Sequence, residues 1–146
     1  MSGIRACFLA SAMLLGTTLG STRAPVAAQG LPELKFDHIH TYAEVAAYVQ
    51  AVARVFPQIA RLHTIGKSYL GKDLLVLEIT NRQTGDALEK PGYWIDGNLH
   101  AGEVFGGEAC LHTIRALVTG YAIDPVITRI VDTKVFYIMP KLNPDG

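Results

Sequence analysis

His100 and Glu103 form a His-x-x-Glu pair whose side chains have the chemistry of zinc ligands. A neutral imidazole nitrogen and a carboxylate oxygen each bind zinc at about 2.0–2.2 Å, and catalytic zinc sites use three protein ligands plus a water molecule. The pair therefore offers two ligands of such a set and leaves the third unassigned. A purely structural interpretation is equally open at this point, in which Glu103 stabilises a helix N-terminus through the helix dipole and His100 lines a loop.

The elements predicted around the pair place both side chains at the end of a strand. Residues 93–95 predict a buried strand that ends at Asp96 and Gly97, and apolar spacing predicts a helix over residues 104–118. Active sites of open α/β sheets lie at the carboxyl ends of strands. The glycine-containing bend between the two elements can present both side chains to one point.

The remaining pattern predicts an α/β fold in which helices pack on a mixed parallel and antiparallel sheet. Thr41 and Glu44 form a capping box for a helix that runs to about Val55. Residues 61–68 and 73–80 predict an antiparallel hairpin with glycine at its bend.

Downstream, a short helix is predicted over residues 125–131, with Asp124 as its N-cap. A strand is predicted over residues 134–139, and both this strand and 93–95 are expected to be interior ones. Because a turn sequence then ends the chain beside a central strand, the natural domain is expected to continue past Gly146.

Three motifs, in order, resemble segments of the zinc metallocarboxypeptidase (M14) family. Residues 93–103, Tyr-Trp-Ile-Asp-Gly-Asn-Leu-His-Ala-Gly-Glu, resemble its first zinc-ligand segment. Residues 65–74 resemble its first hairpin, and residues 139–146 resemble the following strand and Asn-Pro-Asp-Gly turn. The similarity covers residues 37–146, less than half of a complete family domain. It implies a carboxypeptidase-like catalytic domain that is truncated.

The resemblance gives zinc-ligand roles to His100 and Glu103, for one Zn²⁺ ion. It implies that the third ligand, a histidine, lies beyond position 146. The general-base glutamate, the oxyanion-stabilising arginine and the pair that binds the substrate carboxylate would lie there too. No catalytic residue can therefore be assigned in this chain. Gly102 stands where many digestive members carry an arginine, so a substrate contact made by that arginine cannot be carried over.

The implied function is hydrolysis of C-terminal peptide bonds, with the C-termini of peptides or proteins as substrates and with this fragment alone inactive. Two alternatives remain open. One is a zinc-dependent amide hydrolase or deacylase of the same superfamily, which the carboxylate-binding residues would discriminate. The other is a non-catalytic secreted binding module, which the presence or absence of the late glutamate would discriminate.

The other histidines are expected to have structural roles. His112 would form an ordinary surface pair with Glu108, four residues earlier on the same helix. His63 is expected to be a partly buried, hydrogen-bonded strand residue. His38 and His40 could lie on one strand face, and a second metal site there would lack a clear carboxylate or cysteine partner.

The other polar side chains near the pair are not expected to be metal ligands. Glu108 lies about 140° around the helix from Glu103, so the two carboxylates should diverge. Asp96 and Asn98 are expected to shape the ligand turn, with Asp96 a candidate contact to a ligand. Cys110 is expected to be a buried structural thiol.

Residues 1–28 have the pattern of an export signal. Arg5 is followed by an apolar stretch at 6–20 and by small residues at 26–28, which predicts cleavage after Ala28 and a secreted or periplasmic protein. An uncleaved membrane anchor is the alternative. Residues 29–146 would form the N-terminal part of the catalytic domain, with no membrane contact after signal removal.

The composition of the remaining chain excludes some partners. Residues 29–146 carry 11 basic and 13 acidic side chains without a basic run, so no nucleic-acid partner is expected. They hold one cysteine, Cys110, and therefore no internal disulfide is predicted.

Overall fold

The computed structural model describes residues 30–146, so the predicted signal segment lies outside the described residues. In chain order the helices and strands are α1 (Tyr42–Val55), β1 (Ala60–Lys67), β2 (Asp73–Ile79), β3 (Gly92–Asp96), α2 (Val104–Gly120), α3 (Pro125–Thr133) and β4 (Val135–Met139). Two short 3-10 turns, Arg82–Thr84 and Ala87–Glu89, lie between β2 and β3.

The four strands form one mixed sheet in the order β1-β2-β4-β3. β1 and β2 form the predicted antiparallel hairpin, β2 pairs antiparallel with β4, and β4 pairs parallel with β3. The predicted α/β fold with a mixed sheet is confirmed. Because β3 and β4 run parallel, the loop after β3 and the turn after β4 leave the sheet at the same edge.

The helices bury their apolar faces in one core with the sheet. Alternate residues of β2 point into this core, as the period of two requires for one face of a strand. The core side chains include Val45, Val49, Val52, Leu75, Leu77, Ile79, Cys110, Leu111, Ile114 and Ile138. Cys110 is buried as predicted, and desolvation is the main cause that raises its pKa to about 11.

Local signals set the helix ends. The capping box is present, since the Thr41 hydroxyl accepts from the Glu44 N–H and the Glu44 carboxylate accepts from the Thr41 N–H. α1 ends at Val55, two residues before Pro57, whose ring disfavours helical geometry in the preceding residue. α3 begins after Asp124, whose carboxylate accepts the first two helical N–H groups.

The expectation that β3 is a buried interior strand is wrong for the described residues. β3 pairs with β4 alone among the strands of residues 30–146, and Tyr93 and Trp94 are about half exposed. The apolar run predicted that both faces of β3 are buried. Burial of a strand requires neighbouring elements, and the described chain supplies a neighbouring strand on the β4 side. Tyr93 stacks on Phe136 of that strand, with ring centroids 5.3 Å apart. β4 is an interior strand, as predicted.

Helices α1 to α3 all lack the combination of length and apolarity that a membrane crossing requires, a statement that covers residues 30–146.

Candidate metal centre

The two predicted ligands lie on the seven-residue loop 97–103 between β3 and α2. The Glu103 N–H donates to the His100 carbonyl at 3.0 Å, and this turn brings the two side chains together. His100 Nδ1 and Glu103 Oε2 are 3.0 Å apart, with the side chains 72% and 71% exposed. The predicted placement at the carboxyl end of a strand is confirmed, and the two donor atoms face each other in solvent.

This geometry fits one shared zinc ion. Two donor atoms that each lie about 2.0–2.2 Å from the same ion can be at most about 4.4 Å apart. The observed separation of 3.0 Å is inside that limit. The donor set, one imidazole nitrogen and one carboxylate oxygen, also matches the ligands that catalytic zinc prefers.

Glu103 occupies the N-cap position of α2, yet its side chain makes no capping hydrogen bond. A cap residue normally accepts an N–H of the first turn. The capping hydrogen bond that a purely structural role of Glu103 would require is therefore absent. The carboxylate does lie at the positive end of the helix dipole. Its oxygen Oε2 lies instead beside His100.

No third ligand joins the pair within the part of the chain that the structure describes. Residues 30–146 contain no group of three or more His, Cys, Asp or Glu side chains arranged to hold a metal ion. Within that range, His100 and Glu103 are a pair of potential ligands without a third.

Glycines let the loop pack directly on the first turn of α2. A Cβ at Gly97 would overlap the backbone of Gly106, and a Cβ at Gly107 would lie 2.9 Å from the Pro140 carbonyl oxygen. Such approaches exclude larger side chains because the obstacle is backbone, which cannot rotate away. The loop, α2 and the residues after β4 are thus in close contact.

Asn98 is the polar centre of this contact and is 3% exposed. Its Nδ2 donates to the carbonyl oxygens of His100 at 3.2 Å and Ala101 at 3.3 Å. Its Oδ1 accepts from Lys141 Nζ at 3.2 Å. The backbone of Asn98 has φ 56°, in the left-handed region that Asn adopts more readily than most residues. The expectation that Asn98 supports the ligand turn is confirmed.

The turn after β4 continues the same network. Leu142 and Asn143 donate their N–H groups to the carbonyls of Gly97 and Asn98 at 3.0 and 3.1 Å. The ligand loop and this turn thus extend the pairing of β3 with β4 beyond the strand ends.

Asp145 connects that turn to the tip of the β1–β2 hairpin. Its carboxylate accepts from the Leu70 N–H and the Ser68 hydroxyl, each at 2.9 Å. These bonds, the Leu70 N–H first, hold the pKa of Asp145 below its usual value of 3.8. Lys72 Nζ donates to the Pro144 carbonyl at 2.6 Å. Residues 139–146 thus contact both of the other segments that carried the family resemblance, the ligand loop and the hairpin.

Glu108 pairs with a different histidine from the one expected. Its two oxygens accept from the His40 backbone N–H at 2.8 Å and from His40 Nδ1 at 2.6 Å. The predicted Glu108–His112 surface pair is wrong, because the partner is supplied by a segment 68 residues away in the sequence. The ring of His112 lies near that of Phe36 instead, with centroids 5.7 Å apart. The Glu108 carboxylate is thus occupied by His40.

The remaining candidates have ordinary partners. His63 Nε2 lies 2.8 Å from Glu78 Oε2, which confirms a partly buried, hydrogen-bonded strand histidine. The rings of His38 and His40 lie with centroids 4.7 Å apart and planes tilted by 40°, but the two residues follow a turn and are not on a strand. Asp96 accepts from the indole of Trp94 at 2.6 Å, so its observed contact is not with His100.

Sequence reasoning missed the His40–Glu108 pair and the Asp145 contacts. Both join residues that are far apart in the chain, and periodicity and capping signals report neighbours within a few residues. The Asn-Pro-Asp-Gly turn was the one available signal, because it marked Asp145 as part of a defined turn.

Comparison with known proteins identifies similar domains. The family model described as zinc carboxypeptidase matches residues 45–146. Mouse carboxypeptidase M is 36% identical over 107 residues, which are 73% of this chain and 24% of that protein. Mouse carboxypeptidase Z is 34% identical over 120 residues, covering 80% of this chain and 18% of the relative.

Solved structures give the same assignment of fold. Carboxypeptidase A from Helicoverpa armigera is 32% identical, with a TM-score of 0.69 over 86% of this chain and 28% of that one. A metallo-carboxypeptidase from Burkholderia cenocepacia is 28% identical, with a TM-score of 0.63 over 73% and 28%. The chain thus spans about a quarter or less of the length of the two mouse relatives.

Proposed function

The chain belongs to the zinc carboxypeptidase family, and on that premise we propose that its full-length protein is a zinc-dependent metallocarboxypeptidase. The substrates would be peptides or proteins with a free C-terminus, from which the terminal peptide bond is hydrolysed. The observation that carries the proposal is the 3.0 Å approach of His100 Nδ1 to Glu103 Oε2 on an exposed loop at the carboxyl end of β3.

His100 and Glu103 would hold one zinc ion, which when bound polarises the scissile carbonyl and lowers the pKa of its water. His100 would contribute the lone pair of Nδ1, so its imidazole must be neutral at that atom. Glu103 would contribute a negative charge that lies at the N-terminus of α2. The third ligand and the general base are proposed to follow Gly146 in the sequence.

The exposure of the pair also fits this function. A hydrolytic site must admit both water and a peptide chain, and these two side chains are more than two-thirds exposed. The structural support lies beneath them, in the buried contacts of Asn98 and the glycines of α2. A rigid base that presents open ligands is the arrangement expected for a catalytic metal centre.

The test is a C-terminal release assay on the purified full-length product loaded with zinc. A peptide with a free C-terminal carboxylate should release its last amino acid, whereas the same peptide with a C-terminal amide should not. Release should stop on removal of zinc by a chelator and return when zinc is added. Hydrolysis of small acyl-amides in place of the peptide would favour the deacylase alternative. Zinc binding without any hydrolysis would favour the binding module.

The 146-residue chain expressed alone should be inactive and at best a weak zinc binder. A two-ligand site leaves most of the coordination to water, so the metal should exchange readily. Equilibrium dialysis with zinc measures this directly. A folded 146-residue chain that holds zinc tightly and cleaves peptides would contradict the proposal that essential residues follow Gly146.

We also propose that the protein is exported, with cleavage of residues 1–28 after Ala28. N-terminal sequencing of the secreted or periplasmic protein should begin at Gln29. Protein that begins at Met1 in that fraction would contradict this proposal.

A further inference from the structure

We propose that Asn98 is a positioning residue of the metal centre. Its carboxamide fixes the backbone that carries His100, and thereby the direction in which the imidazole approaches the metal. The inference rests on the ligand roles proposed above for His100 and Glu103. The contacts of Asn98 with the loop are to backbone carbonyls, so it would act through His100 and not on the substrate.

Each polar atom of the Asn98 carboxamide has a partner, as a buried polar group requires. Nδ2 donates to two carbonyls of the ligand loop, and Oδ1 accepts from Lys141. The rotated amide would place Oδ1 against two carbonyl oxygens and the NH₂ group against an ammonium. Lys141 therefore sets the orientation of the amide, and the amide sets the loop.

The backbone of Asn98 is held as firmly as its side chain. Its carbonyl accepts from the Asn143 N–H at 3.1 Å, and its φ of 56° turns the chain sharply after β3. The first turn of α2 packs against it, since a Cβ at Gly107 would lie 3.9 Å from the Asn98 Cβ. Asn98 is thus fixed by the turn after β4 and by α2, and it transmits that position to residues 100 and 101.

The contrast in burial explains why this residue matters. Asn98 is 3% exposed, whereas the His100 side chain is 72% exposed. An exposed imidazole has little packing around it to restrict its direction, so the loop backbone restrains it together with the contact to Glu103. Loss of a residue that orients a metal ligand costs about 10- to 100-fold in metal affinity or activity.

The experiment compares Asn98→Asp and Asn98→Gly with Asn81→Asp in the full-length product. Asp keeps the shape and the contact with Lys141 but replaces the donor to the two carbonyls by an acceptor. Gly removes the side chain and tolerates the positive φ. Asn81 is a matched control, because it is also buried and donates through Nδ2 to Asp132 at 2.8 Å, outside the ligand network.

Zinc affinity is measured by competition with a chelator, and the visible absorption of the Co²⁺-substituted protein reports the coordination geometry. Both Asn98 variants should lose about 10- to 100-fold in zinc affinity and shift the Co²⁺ spectrum. Asn81→Asp should lower the unfolding midpoint and leave both metal readouts unchanged. Lys141→Met should shift both metal readouts in the same direction as the Asn98 variants, by less.

Asn98 variants that bind zinc as tightly as the unchanged protein, with the same Co²⁺ spectrum, would overturn the proposal. An equal loss in Asn81→Asp would overturn it too, by assigning the effect to general destabilisation. If Asn98→Asp does not fold, Asn98→Gly decides. His100→Ala distinguishes failure of the ligand assignment from failure of the positioning role. If His100→Ala keeps its zinc affinity, the ligand assignment is refuted. If His100→Ala loses zinc affinity and the Asn98 variants keep it, the positioning role alone is refuted.

Discussion

Two His–Glu pairs lie near the start of α2, and they differ in almost everything except chemistry. His100 and Glu103 are three residues apart, more than two-thirds exposed, and 3.0 Å apart at their nearest polar atoms. His40 and Glu108 are 68 residues apart, with side chains 4% and 13% exposed, and they approach to 2.6 Å. The same two residue types thus form an open pair on a loop and a closed pair between a segment and a helix.

The difference indicates what each pair can do. Buried partners that satisfy each other are expensive to separate, so the His40–Glu108 pair suits the joining of the N-terminal segment to α2. An exposed ion pair contributes little free energy, so little stability is lost when a metal ion takes the place of the contact between its two side chains. The His100–Glu103 pair therefore suits the binding of a metal ion. Burial, and not residue type, distinguishes the structural pair from the candidate ligands.

The largest expected effect comes from removing the exposed pair. In the full-length product, His100→Ala or Glu103→Ala should each lower zinc affinity by more than about 100-fold and should abolish hydrolysis. This loss exceeds the one expected for residues that only orient the ligands. Chelator competition and the release assay measure both. His112→Ala, on the same helix as Glu108, is the control and should do neither. An equal loss from His112→Ala at unchanged folding would mean that the ligand set is misassigned.

The buried pair should respond in the opposite way. His40→Ala leaves a largely buried carboxylate without its ring partner, which should lower the free energy of unfolding by about 1–3 kcal/mol. Zinc affinity should stay unchanged. Urea denaturation followed by circular dichroism measures the first, and chelator competition the second. A His40 variant that loses zinc without losing stability would reverse the roles assigned to the two pairs.

His38 forms a further histidine–carboxylate contact, which lies at the surface. His38 lies 2.7 Å from Asp37 and 3.4 Å from Glu44, and all three side chains are substantially exposed. Pairs of this type contribute about 0–1 kcal/mol. His38→Ala should therefore change the unfolding midpoint much less than His40→Ala. Equal effects would show that burial is not what separates these histidines.

Acid should weaken the α1 cap that adjoins His38. The Thr41 N–H, followed by its hydroxyl, lowers the pKa of Glu44 from 4.5 to about 2. Because the folded pKa is depressed, the contribution of Glu44 to stability is fully present above about pH 4.5 and is lost as the pH falls towards 2. In Glu44→Gln, the urea unfolding midpoint should decrease less between pH 4.5 and 2 than in the unchanged protein. An unchanged slope in that variant would contradict the assignment.

Most elements of the fold were predictable from the sequence because their signals are local. The capping box at Thr41, the Asp124 cap and the glycine at the hairpin bend each act within a few residues, and the structure has all three features where expected. The burial of β3 was not predictable in this way. Its apolar run is the same whether one neighbour or two are present, and the neighbours come from elsewhere in the fold.

By itself, the sequence determined that His100 and Glu103 follow a strand and precede a helix, since spacing and secondary structure act over short distances. The tertiary structure decided which distant polar side chains meet around them. Asn98 meets Lys141 across 43 residues, Asp145 meets the hairpin across 75 and 77, and Glu108 meets His40 across 68. Such contacts form because parallel pairing of β3 with β4 and packing of α2 bring distant residues together, and most buried polar groups find their partners there.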